Sequence, residues 1–404
     1  MKKILSGTLA ALMVAAALTG CGSNSGTASK ADSSGAAGQT SSKTAESDTG
    51  AAGGSEVLKI GGIGPLTGAA AAYGISVKQG AQIAIDEINA AGGIQAGGKT
   101  YTFEMVFEDD EATEDKAIQA YSTLMDQGID VLMGAVTSGS SIAIADHTAK
   151  DGILQISPSG SAEAVIKNDN AFRICFSDPE QGVAMADYML DKLGKKKVAV
   201  IYNNSDEYST GLRQAFEDEV TAKGGTVVTS EAFANGDMDF SSQLTKIKGT
   251  DAEIIYVPAY YQDATYITKQ AREMGIELPF IGSDGWDGVL GTVTDPSTVE
   301  GAIFSSPFCA AVEDPQVVAF VEAYQKAYNA TPDQFAADAY DCIYTFKAAM
   351  EKSGSIESAD LIAAMTEISV SGLTGDSITF SKDGAAEKEV RYVEIKDGAY
   401  AYAQ

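Results

Sequence analysis

Hydrophobic and polar positions alternate with two different periods from residue 56 onward. Apolar side chains recur at helical spacing across residues 75–91, and Gly92-Gly93 follows them as a stop signal. Every second residue from Tyr101 to Phe107 is hydrophobic, as in a strand with one buried face. The apolar run at residues 129–136 is typical of a strand buried on both faces. Strands and helices in this order predict a parallel sheet covered by helices.

The same rhythm restarts near residue 197. In the first half we expect strands at 57–63, 101–107, 129–136 and 153–157, with helices at 75–91, 113–126 and 140–150. In the second half we expect strands at 197–202, 226–233, 254–259, 279–281 and 302–305, with helices at 209–223, 240–247 and 262–274. Helices then dominate residues 315–367, and short β segments close the chain. The 404 residues exceed the roughly 250–300 at which one core usually splits, so two α/β lobes are expected.

The composition before residue 56 is different. Residues 22–55 are mostly Gly, Ser, Ala, Thr and Asn, which bury too little apolar surface to order, so a flexible tether is expected. In front of it, Lys2 and Lys3 precede an uncharged run at residues 4–18. This pattern indicates a secretory signal peptide over residues 1–20, since the run is shorter than the ~20 residues that span a bilayer.

The signal peptide ends in Leu18-Thr19-Gly20-Cys21. This stretch resembles the lipobox of bacterial lipoproteins. The resemblance implies that Cys21 is lipidated and that the protein is anchored by lipid to the extracytoplasmic face of the cell membrane. An ordinary secretory signal with an incidental Cys21 is the alternative.

Composition excludes several classes of function. A formal net charge of −28 without a basic stripe argues against nucleic-acid binding. The single histidine, His147, and the four cysteines have no zinc-like spacing, so no metal site and no histidine-based catalysis are expected. We interpret Cys175, Cys309 and Cys342 as small buried hydrophobes, with one disulfide among them as the alternative. The glycine-rich segment 62–68 lacks the third glycine of a dinucleotide loop, so no cofactor is expected.

Two hydroxyl-rich turns are the best candidates for a site in the first lobe. Residues 137–141 follow one predicted strand and residues 157–161, including Ser159, Gly160 and Ser161, follow the next. Carboxyl ends of adjacent parallel strands are where open α/β sheets bind ligands. Free amides at a helix start, flanked by serine hydroxyls, favour a carboxylate. Helix capping by serine is the alternative role of each turn.

The second lobe offers complementary chemistry. Asp284 lies in a glycine-rich loop at 282–287 together with Trp286, the only tryptophan. A carboxylate there can pair with a ligand ammonium group. Tyr208 and Tyr260 also fall near element ends, where ordinary packing is the alternative role.

These motifs, in this order, make the chain resemble a known family. The series includes 64–68 (GPLTG), 86–94 (DEINAAGGI), 153–158 (ILQISP), 208–211 (YSTG) and 282–285 (GSDG). It resembles the leucine/isoleucine/valine-binding proteins, which are the substrate-binding components of branched-chain amino-acid ABC transporters. The resemblance covers essentially all of residues 56–404.

The resemblance implies an architecture, the type I periplasmic binding protein fold. Two Rossmann-like lobes with parallel-sheet cores are joined by a three-segment hinge, with crossings near 174–177, 303–306 and 373–380. Residues 56–175 and 306–374 are expected to form lobe 1, and residues 176–305 and 375–404 lobe 2.

The resemblance also implies roles for individual residues. Ser138 would bind the ligand carboxylate, the Ser159 carbonyl would accept an ammonium proton, and Ser161 would bridge both groups. Asp284 would be the ammonium counter-ion. Aromatic walls would come from both lobes, namely from Tyr73, Tyr208, Tyr260 and Phe335.

The implied function is capture of an amino acid by hinge closure and delivery to an ABC permease, without a catalytic step. A ligand-sensing subunit of a membrane receptor is the alternative, and so is a binder of a related small amide or carboxylate. The sequence also departs from the family. Ala112 and Thr137 stand where some members have a disulfide, and Asp284 replaces a frequent glutamate. The shorter side chain, beside the bulky Trp286, would then reshape the pocket. Trp286 is expected among the ligand-binding residues, and packing at the lobe surface is its alternative role.

Overall fold

The computed structural model describes residues 55–403. The predicted signal peptide, Cys21 and the tether up to residue 54 lie outside the described residues.

The first lobe starts as an alternation of strands and helices. Its elements are β1 (Glu56–Gly64), α1 (Ala71–Ala90), β2 (Ile94–Ala96), β3 (Lys99–Asp109), α2 (Glu114–Asp126), β4 (Val131–Met133), α3 (Ser138–Asp151), β5 (Gln155–Ser157) and β6 (Ala171–Arg173). The strands form one sheet in the order β2-β3-β1-β4-β5-β6, parallel except for β2. Strands β4 and β5 are buried at every position, as the apolar runs predicted.

The second lobe repeats this construction. Its elements are α4 (Asp178–Asp187), β7 (Lys197–Asn203), α5 (Glu207–Ala222), β8 (Thr226–Phe233), α6 (Ser241–Lys248), β9 (Ile254–Val257), α7 (Tyr261–Glu273), β10 (Phe280–Gly282) and β11 (Ile303–Ser305). A π-helical turn at Tyr188–Lys192 extends α4. The two α/β lobes with parallel-sheet cores are thus as the sequence predicted.

The chain then contributes to both lobes again. It continues with α8 (Pro315–Tyr328), α9 (Gln334–Ser353), α10 (Ser358–Ala364), β12 (Thr379–Phe380), β13 (Ala386–Glu387), β14 (Tyr392–Lys396) and β15 (Ala399–Tyr402). Helix α9 packs along α1 of the first lobe. Strands β14 and β15 join the second sheet antiparallel, in the order β15-β14-β11-β10-β9-β7-β8.

The third crossing between the lobes differs from its expected position. Residues 375–388, expected in lobe 2, contact lobe 1. The Phe380 ring meets Phe172 edge-on at 5.9 Å, and Gly384 O accepts a hydrogen bond from the Arg173 N–H at 3.0 Å. Lys388 forms a buried ion pair with Asp338 of α9 at 3.1 Å. The chain therefore crosses after Lys388. Short β segments carry no periodicity that tells one sheet edge from another, so the sequence placed this crossing too early.

Candidate ligand-binding site

A small cavity lies between the lobes, at the ends of strands from both sheets. Its volume is about 10 Å³, room for about one water molecule. Lobe 1 contributes α1, α9 and the turns after β4 and β5, and lobe 2 contributes α5 and the turns after β9 and β10. The lining residues are Tyr73, Val136, Thr137, Ser138, Ser159, Tyr208, Tyr260, Asp284, Gly285 and Phe335.

The two serine turns are tied together by hydrogen bonds. Ser138 Oγ accepts from the backbone N–H groups of Ser161 and Ala162, each at 3.1 Å. Ser159 Oγ donates to Val136 O at 2.7 Å. Because two N–H groups occupy the acceptor positions of Ser138 Oγ, its own proton is left to donate, which suits a ligand carboxylate.

The N-terminus of α3 adds unsatisfied donors to the same turn. The first amides of a helix have no partner within the helix, and they carry its partial positive charge. The side chain of Thr137, the N-cap residue, makes no capping hydrogen bond, and its buried Oγ1 has no partner. Lobe 1 therefore presents donors and positive potential, as an anion site does.

Lobe 2 presents a carboxyl group. Asp284 is 5% exposed, and its Oδ1 accepts from the Tyr208 hydroxyl at 2.7 Å. Its backbone N–H donates to Gln181 Oε1 at 3.1 Å, which fixes the loop against α4. Burial raises the pKa of Asp284 to about 6, against hydrogen bonds from Tyr208 and Gln181 that lower it. The group is therefore mostly ionised at neutral pH, and a carboxylate of this kind can pair with an ammonium group.

Sequence reasoning missed a second carboxyl group, Asp178. This first residue of α4 is 1% exposed, and neither carboxyl oxygen has a hydrogen-bond partner. Burial raises its pKa well above the usual range and nearby Asp284 adds to the rise, while the Ser161 hydroxyl opposes it. Asp178 does not line the cavity itself, so it acts on the site only through its charge interaction with Asp284. A signal for this helix start was present, since Ser177 and Glu180 form a capping box.

Aromatic rings close the rest of the cavity. Tyr73 packs on Phe335 with ring centroids 4.1 Å apart, and Tyr208 stacks on Tyr260 at 4.9 Å. The Tyr73 hydroxyl donates across the cleft to Gly285 O at 2.5 Å. The lobes are thus in direct contact, and an amino acid reaches the site only when they separate.

The structure brings together most of the residues that the sequence singled out. Seven of them line this same cavity: Tyr73, Ser138, Ser159, Tyr208, Tyr260, Asp284 and Phe335. Ser161 lies just behind this lining, fully buried, with its Oγ free of a partner.

Two predicted site residues do not line the cavity. Trp286 points into the core of lobe 2, where its indole N–H donates to Val257 O at 2.8 Å and the ring is fully buried. Gly160 faces the interior of lobe 1. A Cβ there would meet the hydroxyls of Ser157 and Ser141 at 2.7 and 2.8 Å. Both residues shape the turns that carry the site, and neither reaches the ligand space.

The remaining candidate chemistry lies away from the cleft. His147 is exposed on α3, and Cys175, Cys309 and Cys342 are buried free thiols. Between residues 55 and 403 there is no cluster of His, Cys, Asp and Glu side chains that could hold a metal ion. The helices within that range are too short or too polar to cross a bilayer.

Comparisons with known proteins identify a matching family and similar chains. Residues 57–399 match the family model described as periplasmic binding protein. The Leu/Ile/Val-binding protein BraC3 of Rhizobium johnstonii is 33% identical over 76% of this chain and 82% of its own length.

Two solved structures are similar over 86% of this chain. One is the branched-chain amino acid transporter substrate binding protein LivJ of Streptococcus pneumoniae in complex with isoleucine. It is 32% identical, with a TM-score of 0.78 over its whole length. The other is an ABC transporter solute binding protein of R. palustris in complex with benzoate. It is 25% identical, with a TM-score of 0.76 over 95% of its length.

Proposed function

The chain belongs to the periplasmic binding protein family, and from this premise we propose that it captures an amino acid between its lobes for an ABC permease. The family predicted from the sequence motifs is confirmed, and so is the expectation of a solute-binding protein rather than an enzyme. One observation carries the proposed ligand class. Hydrogen-bond donors and positive helix potential on lobe 1 face the buried carboxyl group of Asp284 on lobe 2, which complements the two ends of a zwitterion.

The order of binding follows from the distribution of these groups. The ligand carboxylate docks first on Ser138 and the amides of α3, which belong to lobe 1 alone. Lobe 2 then closes and brings Asp284 and Tyr208 onto the ammonium side. Because these contacts exist only in the closed form, ligand binding shifts the population toward it.

The aromatic walls favour an apolar ligand side chain. Tyr73, Tyr260 and Phe335 offer ring faces and no charge. Leucine, isoleucine or valine is the proposed ligand, in line with the names of the relatives. Buried charge-assisted hydrogen bonds to both ends of the ligand supply affinity, and they reject molecules that lack either end.

The benzoate-binding relative suggests a second class, small aromatic acids. The carboxyl group of Asp284 argues against it here, since an acid without an ammonium would leave this buried group in the cavity without a cation. The amino acid is therefore the better candidate.

The location and the partners are also part of the proposal. Cleavage before Cys21 and lipidation of that residue would anchor the protein on the outer face of the membrane, with residues 22–55 as a tether between the lipid and the two lobes. Globomycin, which blocks lipoprotein signal peptidase, should leave the unprocessed chain if this is right. Loss of amino-acid uptake on deletion of the gene would support delivery.

A ligand screen tests the binding proposal. Calorimetry against the twenty amino acids should find binding of Leu, Ile or Val. Leucinamide lacks the carboxylate and isocaproate lacks the ammonium, so each should bind at least about tenfold more weakly than leucine. Absence of binding by every amino acid, or tighter binding of benzoate, would overturn the proposal.

A further inference from the structure

A carboxyl group of lobe 2 reaches across the cleft and caps a helix of lobe 1. Asp287 follows the loop that carries Asp284, and its Oδ2 accepts from the backbone N–H of Gln334 at 2.9 Å. Gln334 is the first residue of α9, and its side chain donates back to Asp284 O at 2.7 Å. Asp287 is 4% exposed and Gln334 is 1% exposed. These contacts join the two lobes directly, so they break whenever the lobes separate.

The same helix end already carries an acid of its own lobe. Asp333 is the N-cap of α9, where its Oδ1 accepts from the Ala336 N–H at 3.0 Å. Its Oδ2 accepts from the Ser76 hydroxyl of α1 at 2.6 Å. Closure thus places a second carboxyl group, that of Asp287, beside Asp333. The helix end offers Asp287 a single N–H, so the Oδ1 of Asp287 has no hydrogen-bond partner.

No positive charge compensates for this pair. The described side chains that face it from the surrounding elements are acidic, phenolic or thiol groups: Asp284 of the same loop, Cys309 after β11, Tyr324 of α8 and Tyr400 of β15. A groove of about 550 Å³ runs past both carboxyl groups, and its described lining holds no Lys, Arg or His. Rim residues Ala311 and Thr331 are exposed, so protons can exchange with solvent.

We propose that Asp287 is a positioning residue for lobe closure, which caps α9 only in the closed form, and that the Asp287–Asp333 pair takes up a proton as the cleft shuts. This inference rests on the proposed function, because closure around the ligand is the step it concerns.

The direction of the effect follows from the charges. When the lobes separate, Asp287 loses its contact with α9 and its proximity to Asp333, so the mutual repulsion of the two carboxyl groups is relieved. In the closed form burial and mutual repulsion raise the pKa of Asp287 well above that range, and burial raises the pKa of Asp333 to about 6. Proton uptake on closure means that ligand affinity falls as the pH rises through neutrality.

Two variants of Asp287 distinguish proton uptake from the hydrogen bond with the Gln334 N–H. Asp287→Asn keeps an oxygen that accepts from Gln334 but cannot titrate, whereas Asp287→Ala removes both. Calorimetry with leucine near pH 7, in two buffers of different ionisation enthalpy, counts the protons taken up. On binding leucine, wild type should take up as much as about one proton more than Asp287→Asn. Asp287→Ala should bind leucine about three- to tenfold more weakly than wild type.

The matched control is Asp314→Asn, since Asp314 caps α8 within its own lobe and is exposed. It should change neither affinity nor proton count. Equal proton uptake by wild type and Asp287→Asn overturns the proton step, and unchanged affinity of Asp287→Ala overturns the capping role.

Scattering on the ligand-free full chain separates this proposal from the proposed function. Wild type should be more compact at about pH 5.5 than at about pH 8, and Asp287→Asn should show a smaller difference. If no amino acid binds, the proposed function fails, and this comparison still decides the role of Asp287. An equal pH response of the two proteins contradicts it.

Discussion

Asp284 is buried without a cation, and this sets its chemistry. A carboxylate in such a place costs free energy unless a positive group arrives. Tyr208 supplies only a neutral hydroxyl donor to the carboxyl group, and Gln181 accepts from the Asp284 backbone N–H. Under the proposed function, the ligand ammonium pairs with this carboxylate, and relief of the unpaired charge contributes part of the binding free energy.

We predict that Asp284→Asn weakens leucine binding at least tenfold, about 1.4 kcal/mol, without lowering the melting temperature of the ligand-free protein. Asparagine retains an acceptor for the Tyr208 hydroxyl, so the loop keeps its hydrogen bond while the charge is lost. Calorimetry and thermal unfolding measure the two effects. Asp295→Asn is the control, because Asp295 caps a short turn of the same lobe and is exposed. Unchanged affinity of Asp284→Asn would remove this residue from the site.

Asp284 adds a second pH dependence to leucine binding, on the acid side of the one expected from the Asp287–Asp333 pair. Since the pKa of Asp284 is raised to about 6, lowering the pH through that value protonates the carboxylate that the ammonium needs. Leucine affinity should therefore fall below about pH 6, and Asp284→Asn should lack this acid limb. A titration of Kd against pH in both proteins tests it. An acid limb of equal size in the variant would assign the titration to another group.

Sequence reasoning found the residues whose neighbours along the chain carry the signal. Ser138 and Ser159 follow apolar strands, and Asp284 lies in a glycine-rich loop, so position alone suggested a site. Asp178 was missed because helix α4, which carries it, was not predicted from the sequence. Trp286 was misplaced because a 3₁₀ turn rotates its ring into the lobe core, and no local pattern encodes that direction.

Helices α1 and α9 approach each other closely at one residue. A Cβ on Gly80 of α1 would lie 2.0 Å from Ala336 O of α9. Glycine is therefore required there for backbone approach, although it is a poor helix former. Because Phe335 precedes Ala336, this packing also positions one wall of the ligand cavity.

We predict that Gly80→Ala destabilises the protein by about 1–3 kcal/mol, since overpacking against a backbone carbonyl outweighs the helix-propensity gain of up to about 1 kcal/mol. Denaturant unfolding measures the change. The control is Gly139→Ala in α3, where the nearest atom to an added Cβ is a Glu114 side-chain oxygen at 4.0 Å. That variant should be neutral or slightly stabilised. A stabilised Gly80→Ala protein would show that α9 can move away freely.

At the level of elements, periodicity predicted the long helices and the buried strands. It did not predict α4, whose 10 residues mix acidic, polar and small side chains with few apolar ones. Strands β2 and β6 are three residues long, too short to show an alternation. The lobe assignment of residues 375–388 depends on tertiary contacts such as Lys388 with Asp338, which sequence spacing does not reveal.

Among the described residues, more buried acidic side chains have a raised pKa than a lowered one. The raised group clusters at the cleft and the lobe cores, and consists of Asp110, Asp178, Asp206, Asp263, Asp284, Asp287, Asp333, Asp338 and Asp341. The lowered group lies mostly at the surface, where water and salt screen its interactions. Examples are Asp239 and Asp251, which are already ionised above about pH 5 in both folded and unfolded chains.

The stability of the ligand-free protein should therefore decline as the pH rises. A carboxyl group whose pKa is raised by folding binds a proton more tightly in the native state, so its contribution is present at low pH and is lost as the pH passes its native pKa. For Asp110 and Asp284 that value is about 6, and for Asp263 and Asp338 about 7. We expect the melting temperature to fall by ~3 °C or more between about pH 5.5 and pH 8. A melting temperature that rises over this interval would mean that these carboxyl groups are solvated in the native protein.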